Sequence, residues 1–81
     1  MVYVYILRSS KNGSYYIGCT NSVEKRIIQH NSDRVRSTRA GKPWILLHTE
    51  EYSTLAMARR RETQIKRWKS RAAIERLIKK S

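Results

Sequence analysis

Cysteine is almost missing from this sequence, with Cys19 standing alone among 81 residues. That excludes an internal disulfide framework and fits a reducing compartment, so the expected location is the cytoplasm. On the apolar side of its strand, Cys19 is expected to be a small buried hydrophobe and not a nucleophile. Histidine is scarce too. His48 has no second His or Cys at ligand spacing, which makes it structural or exposed rather than a metal ligand. Long hydrophobic runs are absent. The apolar stretch Val2 to Leu7 is far too short to span a bilayer and has no basic leader, so neither a membrane span nor a signal peptide is expected. There is no repeat, low-complexity tract or linker, so residues 1–81 are expected to form one small domain. A chain of this length buries only about 60% of its unfolded surface, which keeps its core modest.

Acidic residues are the most telling shortage. Six Asp and Glu face eighteen Lys and Arg, for a net charge of +12. Such a field attracts polyanions. A phosphate backbone is the expected partner, because neutralising phosphates and releasing counterions supplies most of such affinity. An anionic membrane is the rival, and a basic amphipathic C-terminal helix would favour it. A soluble protein with an unusually basic surface is the third reading. Nucleic acid ranks above both, DNA before RNA. No membrane association is expected, and nothing in the chain identifies a protein partner. Charge alone specifies no activity.

What the chain does have begins at Val2 to Thr20, two tyrosine-rich apolar runs joined by Asn12-Gly13. Asn-Gly in that setting predicts a β-hairpin with a type I′ turn. A two-residue loop would set Tyr5 opposite Thr20, Leu7 opposite Gly18 and Ser9 opposite Tyr16. Alternation then places Tyr5, Leu7, Ser9, Tyr16, Gly18 and Thr20 on one face, and Val4, Ile6, Arg8, Tyr15, Ile17 and Cys19 on the other. The second face can seal a core. The first holds two tyrosines around a position with no side chain.

A helix from about Ser22 to Gln29 or His30 follows, with Asn21 as N-cap and Glu24 three residues on. Val23, Ile27 and Ile28 form its expected buried face, with Arg26 and His30 one turn apart on its margin. A polar loop from Asn31 to Pro43 carries Arg34, Arg36, Arg39 and Lys42. It is long for so small a domain and is a candidate contact surface. Trp44 to Tyr52 reads as a third strand, with Trp44, Leu46 and His48 on one face and Ile45 and Leu47 on the other. Ser53 or Thr54 caps a long helix to about Lys69, with Leu55, Ala58 and Ile65 on one face. Ser70 caps a last helix whose Lys79-Lys80 end suits the helix dipole.

Glu62 falls inside the apolar stripe of the long helix, since 55, 58, 62 and 65 follow the spacing of a buried face. It is the only acid between Tyr52 and Ile74. A partly buried carboxylate needs a partner. That partner can be a basic residue such as Arg61 or Lys66, the commoner outcome, or a metal ion, since one carboxylate with waters and a substrate phosphate is a normal set for Mg²⁺.

Tyr3-Val4-Tyr5, then Tyr16-Ile17-Gly18, then Arg26 and His30 on the next helix, then Glu62 on a later one, resembles the GIY-YIG nuclease domain. The resemblance covers nearly the whole chain and is closest to the small single-domain members. It implies an α+β fold with a three-stranded antiparallel sheet flanked by helices. It also implies metal-dependent cleavage of nucleic-acid phosphodiesters. Carried onto this sequence, Tyr5 and Tyr16 are the motif tyrosines and Gly18 the motif glycine. Arg26 is the helix arginine, His30 the polar position one turn later, and Glu62 the metal-binding glutamate. Tyr3 departs from the pattern, since the name-giving members begin that motif with Gly.

The chemistry fits those assignments. Mg²⁺ or Mn²⁺ on Glu62 would polarise the phosphate and lower the pKa of bound water. Arg26 would stabilise the developing negative charge. Tyr5 would accept a proton once the metal or Arg26 lowers its pKa. Tyr16 would orient phosphate or water, and His30 would shuttle a proton or hold the phosphate. Gly18 is expected to leave room for the substrate backbone, and Arg34, Arg36, Arg39 and Lys66 to contact it. The competing reading is a non-catalytic, basic nucleic-acid-binding module on the same scaffold.

Overall fold

The computed structural model describes residues 1–32, 34–36 and 38–80. Strand β1 (Val2–Ser9) pairs with β2 (Tyr15–Thr20) as a hairpin and with β3 (Trp44–Tyr52) on its other side. Both pairings are antiparallel, in the order β2-β1-β3. Helix α1 (Val23–Asn31) follows β2, a short 3-10 turn (Arg39–Gly41) lies in the basic loop, and α2 (Leu55–Trp68) and α3 (Arg71–Lys80) close the chain. The fold is α+β with a three-stranded antiparallel sheet.

The hairpin loop is longer than predicted. Ser9 N donates to Ser14 O at 2.8 Å and Gly13 N to Ser9 O at 2.9 Å, leaving residues 10–13 as a four-residue loop. Only Gly13 has positive φ there, at 76°, whereas a type I′ turn needs both central residues in that region. The Asn12 side chain makes the turn instead, with Oδ1 accepting from Ser14 N at 2.9 Å. Ser9 Oγ accepts from the backbone N–H groups of Lys11 and Asn12. The register therefore moves by two residues: Tyr5 opposes Gly18, Leu7 opposes Tyr16 and Tyr3 opposes Thr20. A shift of two leaves every side chain on its predicted face, where a shift of one would have exchanged the faces.

One face of the sheet is covered by α2 and α3. Val4, Ile6 and Ile17 pack there against Ala58, Ile65 and Ile74, with Tyr15, Cys19, Trp68 and Leu77 around them. Each large aliphatic buried in this layer contributes roughly 1.5–3 kcal/mol. The other face meets α1, where Tyr5, Leu7 and Trp44 pack with Tyr16 and Ile27.

Four more expectations change. Helix α1 is capped by Ser22, whose side chain accepts from Lys25 N, so Asn21 lies one residue outside. Ile28 is 60% exposed, because the inward stripe of α1 runs through Val23, Ile27 and His30. Leu55 is likewise exposed, at the first turn of α2. In β3, the pairing register with β1 shifts between Ile6 and Leu7, leaving Leu47 without an opposite residue. That bulge turns His48 onto the α2 and α3 face, away from Trp44 and Leu46. His48 is buried and structural: its Nε2 lies 2.9 Å from Glu50 Oε2. Arg61 Nε donates to Glu50 Oε1 at 2.8 Å and Tyr52 Oη to the same oxygen at 2.7 Å. Burial would raise the Glu50 carboxyl, but hydrogen bonds from Arg61, His48 and Tyr52 outweigh it and hold it at about 2.

Candidate functional site

Tyr5 is carried on the central strand, so its ring starts deep in the sheet. Only 1% of the residue is exposed. The ring crosses the neighbouring strand at Gly18, where an added Cβ would lie 2.5 Å from Tyr5 Oη. Gly18 therefore makes room for the tyrosine itself, where the sequence suggested room for a substrate backbone. Tyr16 lies on the same face, with its ring centroid 6.3 Å from that of Tyr5 and 4.8 Å from that of His30.

Helix α1 supplies the next two groups. His30 Nε2 lies 3.0 Å from Tyr5 Oη, and Arg26 Nε donates to the same hydroxyl at 3.4 Å. Gln29 Oε1 accepts from Arg26 Nη1 at 2.9 Å and steadies the guanidinium. The spacing of one turn between Arg26 and His30 is what lets both reach one atom. His30 is fully buried. Burial first, and the Arg26 charge second, bring its pKa down to about 4, so the ring is neutral at pH 7. Burial also pushes the Tyr5 phenol up, and the hydrogen bond from Arg26 offsets only part of that rise. The expectation that Arg26 lowers the Tyr5 pKa is thus met in direction but outweighed by burial, to which Tyr16 and Glu62 add.

Glu62 approaches from the opposite side. Its helix packs on the Val4 and Ile6 face, opposite the tyrosines. The carboxylate sits beside the edge strand β2, where Cys19 Sγ donates to Oε1 at 2.6 Å and Lys66 Nζ to Oε2 at 2.6 Å. Burial would raise its pKa, but hydrogen bonds from Cys19 and Lys66, with the charges of Lys66 and Arg59, lower it overall. Glu62 is therefore ionised at neutral pH, and its charge reaches Tyr5 across the edge strand. Cys19 packs against the aliphatic layer as expected, and its thiol in addition donates to Glu62. It is half-buried, and burial followed by the Glu62 hydrogen bond pushes its thiol up to about 11, so it stays protonated.

The donor set bears on a metal. No group of three or more His, Cys, Asp or Glu comes together among the described residues, so a closed protein cage is not built. One ionised, partly exposed carboxylate at a strand edge is the set Mg²⁺ or Mn²⁺ accepts when water and substrate phosphate complete the shell. The residues fit that mode, with Lys66 as the competitor for the same oxygens.

Of the predicted residues, the structure brings Tyr5, Tyr16, Arg26 and His30 together, packs Gly18 against them, and sets Glu62 and Lys66 at the adjoining edge. Arg34, Arg36 and Arg39 are exposed in the loop between α1 and β3. That loop also holds a residue the sequence did not single out. Thr38 is 1% exposed, and its Oγ1 lies 2.8 Å from His30 Nδ1. A threonine in a polar loop carries no periodicity or motif that would have marked it.

Comparison with known proteins finds relatives over nearly the whole chain. A UPF0213 protein of Halobacterium salinarum is 41% identical over 79 residues, spanning 96% of this chain and 100% of its own length. One from Staphylococcus haemolyticus is 40% identical over 65 residues, spanning 79% of this chain and 78% of its own. The solution NMR structure of a UPF0213 protein from Bacillus halodurans superposes with a TM-score of 0.60 at 37% identity, covering 98% of this chain and 84% of that one. A family model described as the GIY-YIG catalytic domain matches residues 1–77. With the two motif tyrosines on one face, Arg26 and His30 on the helix behind them and Glu62 at the sheet edge, the chain belongs to the GIY-YIG catalytic domain family.

Proposed function

We propose that this chain, acting as one catalytic unit, is a metal-dependent endonuclease that hydrolyses phosphodiester bonds in DNA. The observation that carries the reading is a single phenol, Tyr5 Oη, held between a neutral imidazole and a guanidinium, with an ionised carboxylate across the edge strand. A divalent ion held by Glu62 would supply Lewis acidity and a more acidic water.

The chain's own groups do the rest. Arg26 meets the scissile phosphate and stabilises the charge that builds on it. Tyr5 accepts a proton from the attacking water on its oxygen and releases its own proton to His30 Nε2. Hydroxide bonds to phosphorus as the P–O bond to the leaving strand breaks; the departing alkoxide takes a proton from solvent, and the imidazolium at His30 then returns its own to solvent. Substrate binding helps that transfer, because a phosphate against Arg26 cancels one of the two effects that hold the His30 pKa down. Tyr16 orients the phosphate. Arg34, Arg36, Arg39 and Lys66 contact the nucleic-acid strand. Lys66 leaves Glu62 when cation and phosphate arrive.

A second reading, a basic nucleic-acid-binding module without turnover, draws on that same pair: thiol and ammonium already satisfy both Glu62 oxygens. A cleavage panel decides between them. Duplex, flap, junction and single-stranded DNA are incubated with Mg²⁺ or Mn²⁺ and wild type, Tyr5→Phe or Glu62→Ala protein. The nuclease reading expects product from wild type only. Salt-sensitive binding with no product under either metal establishes the second reading.

A further inference from the structure

We infer that Thr38 is a positioning residue that fixes His30 as the tautomer protonated on Nδ1, so that bare Nε2 faces the Tyr5 hydroxyl. The inference deepens the nuclease reading and rests on it for its functional meaning, though not for its geometry.

The argument is one of hydrogen-bond accounting. Thr38 has a single hydroxyl hydrogen, and Oγ1 donates it to Val35 O at 3.2 Å. Toward His30 Nδ1, 2.8 Å away, the same oxygen can then only accept. Nδ1 therefore carries the ring proton, and Nε2 presents a lone pair to Tyr5 Oη at 3.0 Å. The phenol hydrogen fills that contact, while its oxygen accepts from Arg26 Nε. Every donor hydrogen in the chain from Arg26 to Thr38 is used once in a consistent direction, and Val35 O, which also accepts from Thr38 N, ends it. The other tautomer breaks this order. It would aim two donors, Arg26 Nε–H and His30 Nε2–H, at one phenol oxygen, and would take the Thr38 hydrogen away from Val35. Buried polar groups favour the arrangement that satisfies all of them.

The direction of that chain sets the role of Tyr5. With Nδ1 protonated, the phenol hydrogen goes to His30 and the phenol oxygen keeps its acceptor role, so the phenol can take a proton while passing one on. With Nε2 protonated, Tyr5 would have only a donor role. A second nitrogen's hydrogen bond commonly sets the tautomer of a working histidine.

Simple loop anchoring does not account for the hydroxyl. Thr38 is already held by its backbone, with its N donating to Val35 O at 3.1 Å and its O accepting from Trp44 Nε1 at 2.7 Å. Those bonds need no side chain. The contact with His30 does.

The test reads the tautomer directly. Protein labelled with ¹⁵N-histidine is examined at pH 7 through the two-bond correlations of the imidazole nitrogens, without substrate or metal. Wild type and Thr38→Ser are expected to show His30 protonated on Nδ1. Thr38→Val, which keeps the shape and removes the hydroxyl, is expected to lose that preference. In the cleavage assay Thr38→Val should fall roughly 10²-fold in kcat and Thr38→Ser should recover most of it. Wild-type His30 protonated on Nε2 overturns the inference, as does an unchanged tautomer in folded Thr38→Val. Should Thr38→Val fail to fold, the wild-type and Thr38→Ser spectra still decide. A correct tautomer in a protein that cleaves nothing would sink the nuclease reading while leaving the assignment of Thr38 standing.

Discussion

The two faces of the sheet are built for different ends. On the α2 and α3 face, Val4, Ile6, Ile17, Ala58, Ile65 and Ile74 form a layer of aliphatic contacts, with the Glu50 ion cluster toward one end of the sheet. On the α1 face the fully buried groups include Ser9, His30 and Thr38 beside Tyr5 and Leu7. The first layer gains stability by excluding water and loses it by the volume of any atom removed. The second is a directed chain of hydrogen bonds, sensitive to single atoms and to protonation. A small domain of this kind separates the two tasks by putting them on opposite sides of one strand.

Several measurements press on that division, here from the largest expected effect to the smallest. Tyr5→Phe removes one oxygen from the polar face, and cleavage should drop about 10²- to 10⁴-fold. The bare His30 nitrogen left behind costs about 1–3 kcal/mol in urea unfolding, so the protein should stay folded at room temperature. Ile6→Ala works the other way: unfolding should show a loss of about 2–5 kcal/mol, with activity per folded molecule preserved. Equal damage to activity in both variants would break the separation.

Gly18→Ala tests the passage between the faces. The new methyl would collide with Tyr5 Oη at 2.5 Å and with its ring carbon Cζ at 2.7 Å. Overpacking should cost about 1–3 kcal/mol, and displacement of the phenol should lower activity well beyond that of a surface control. A fully active Gly18→Ala protein would show that the phenol need not lie where it does.

The faces also differ in their response to acid. His30 titrates at about 4 in the folded protein against an ordinary 6.5, so the unfolded chain binds the extra proton first. The stability from a neutral His30 is whole above pH 6.5 and is lost as pH falls through 4. Glu50 titrates at about 2 against 4.5, so its share is whole above pH 4.5 and is lost only toward 2. Urea midpoints followed downward from pH 7.5 should therefore begin to fall near 6.5. In Glu50→Gln the fall between 6.5 and 4 should persist, and its disappearance would reassign it away from His30. Lys66→Ala should give the smallest change, about 0–1 kcal/mol, because its ion pair with Glu62 is half-exposed at the lysine end.

Much of this was legible in the sequence, for reasons that differ by residue. The strands and helices followed from alternation, turn residues and caps. The faces of the hairpin were right even though its register was not, because the side-chain period absorbs an error of two. The bulge at Leu47 had no such protection: one extra residue reversed His48, and nothing in Trp44 to Tyr52 marks where it falls. The tyrosines, Arg26 and His30 could be grouped because motif spacing and helix periodicity are local. The Cys19 contact with Glu62 joins distant parts of the chain, and the Thr38 contact with His30 depends on the path of an irregular loop; each rests on single atoms. No local pattern encodes such contacts, and packing alone creates them.

The central strand of the sheet is also the first to be made. Strand β1 can pair with β2 through a four-residue loop, but its partner on the other side, β3, comes only after α1 and the basic loop. Closing that longer loop carries the greater entropic cost and falls later in folding. Thr38 lies within it, where one residue both gives the imidazole its second hydrogen bond and accepts from Trp44 at the start of β3. Losing the contacts of that one residue takes only a local excursion, well below the free energy of global unfolding. Heat inactivation of this protein should therefore precede loss of its sheet, with the active centre coming apart inside a domain that is still folded.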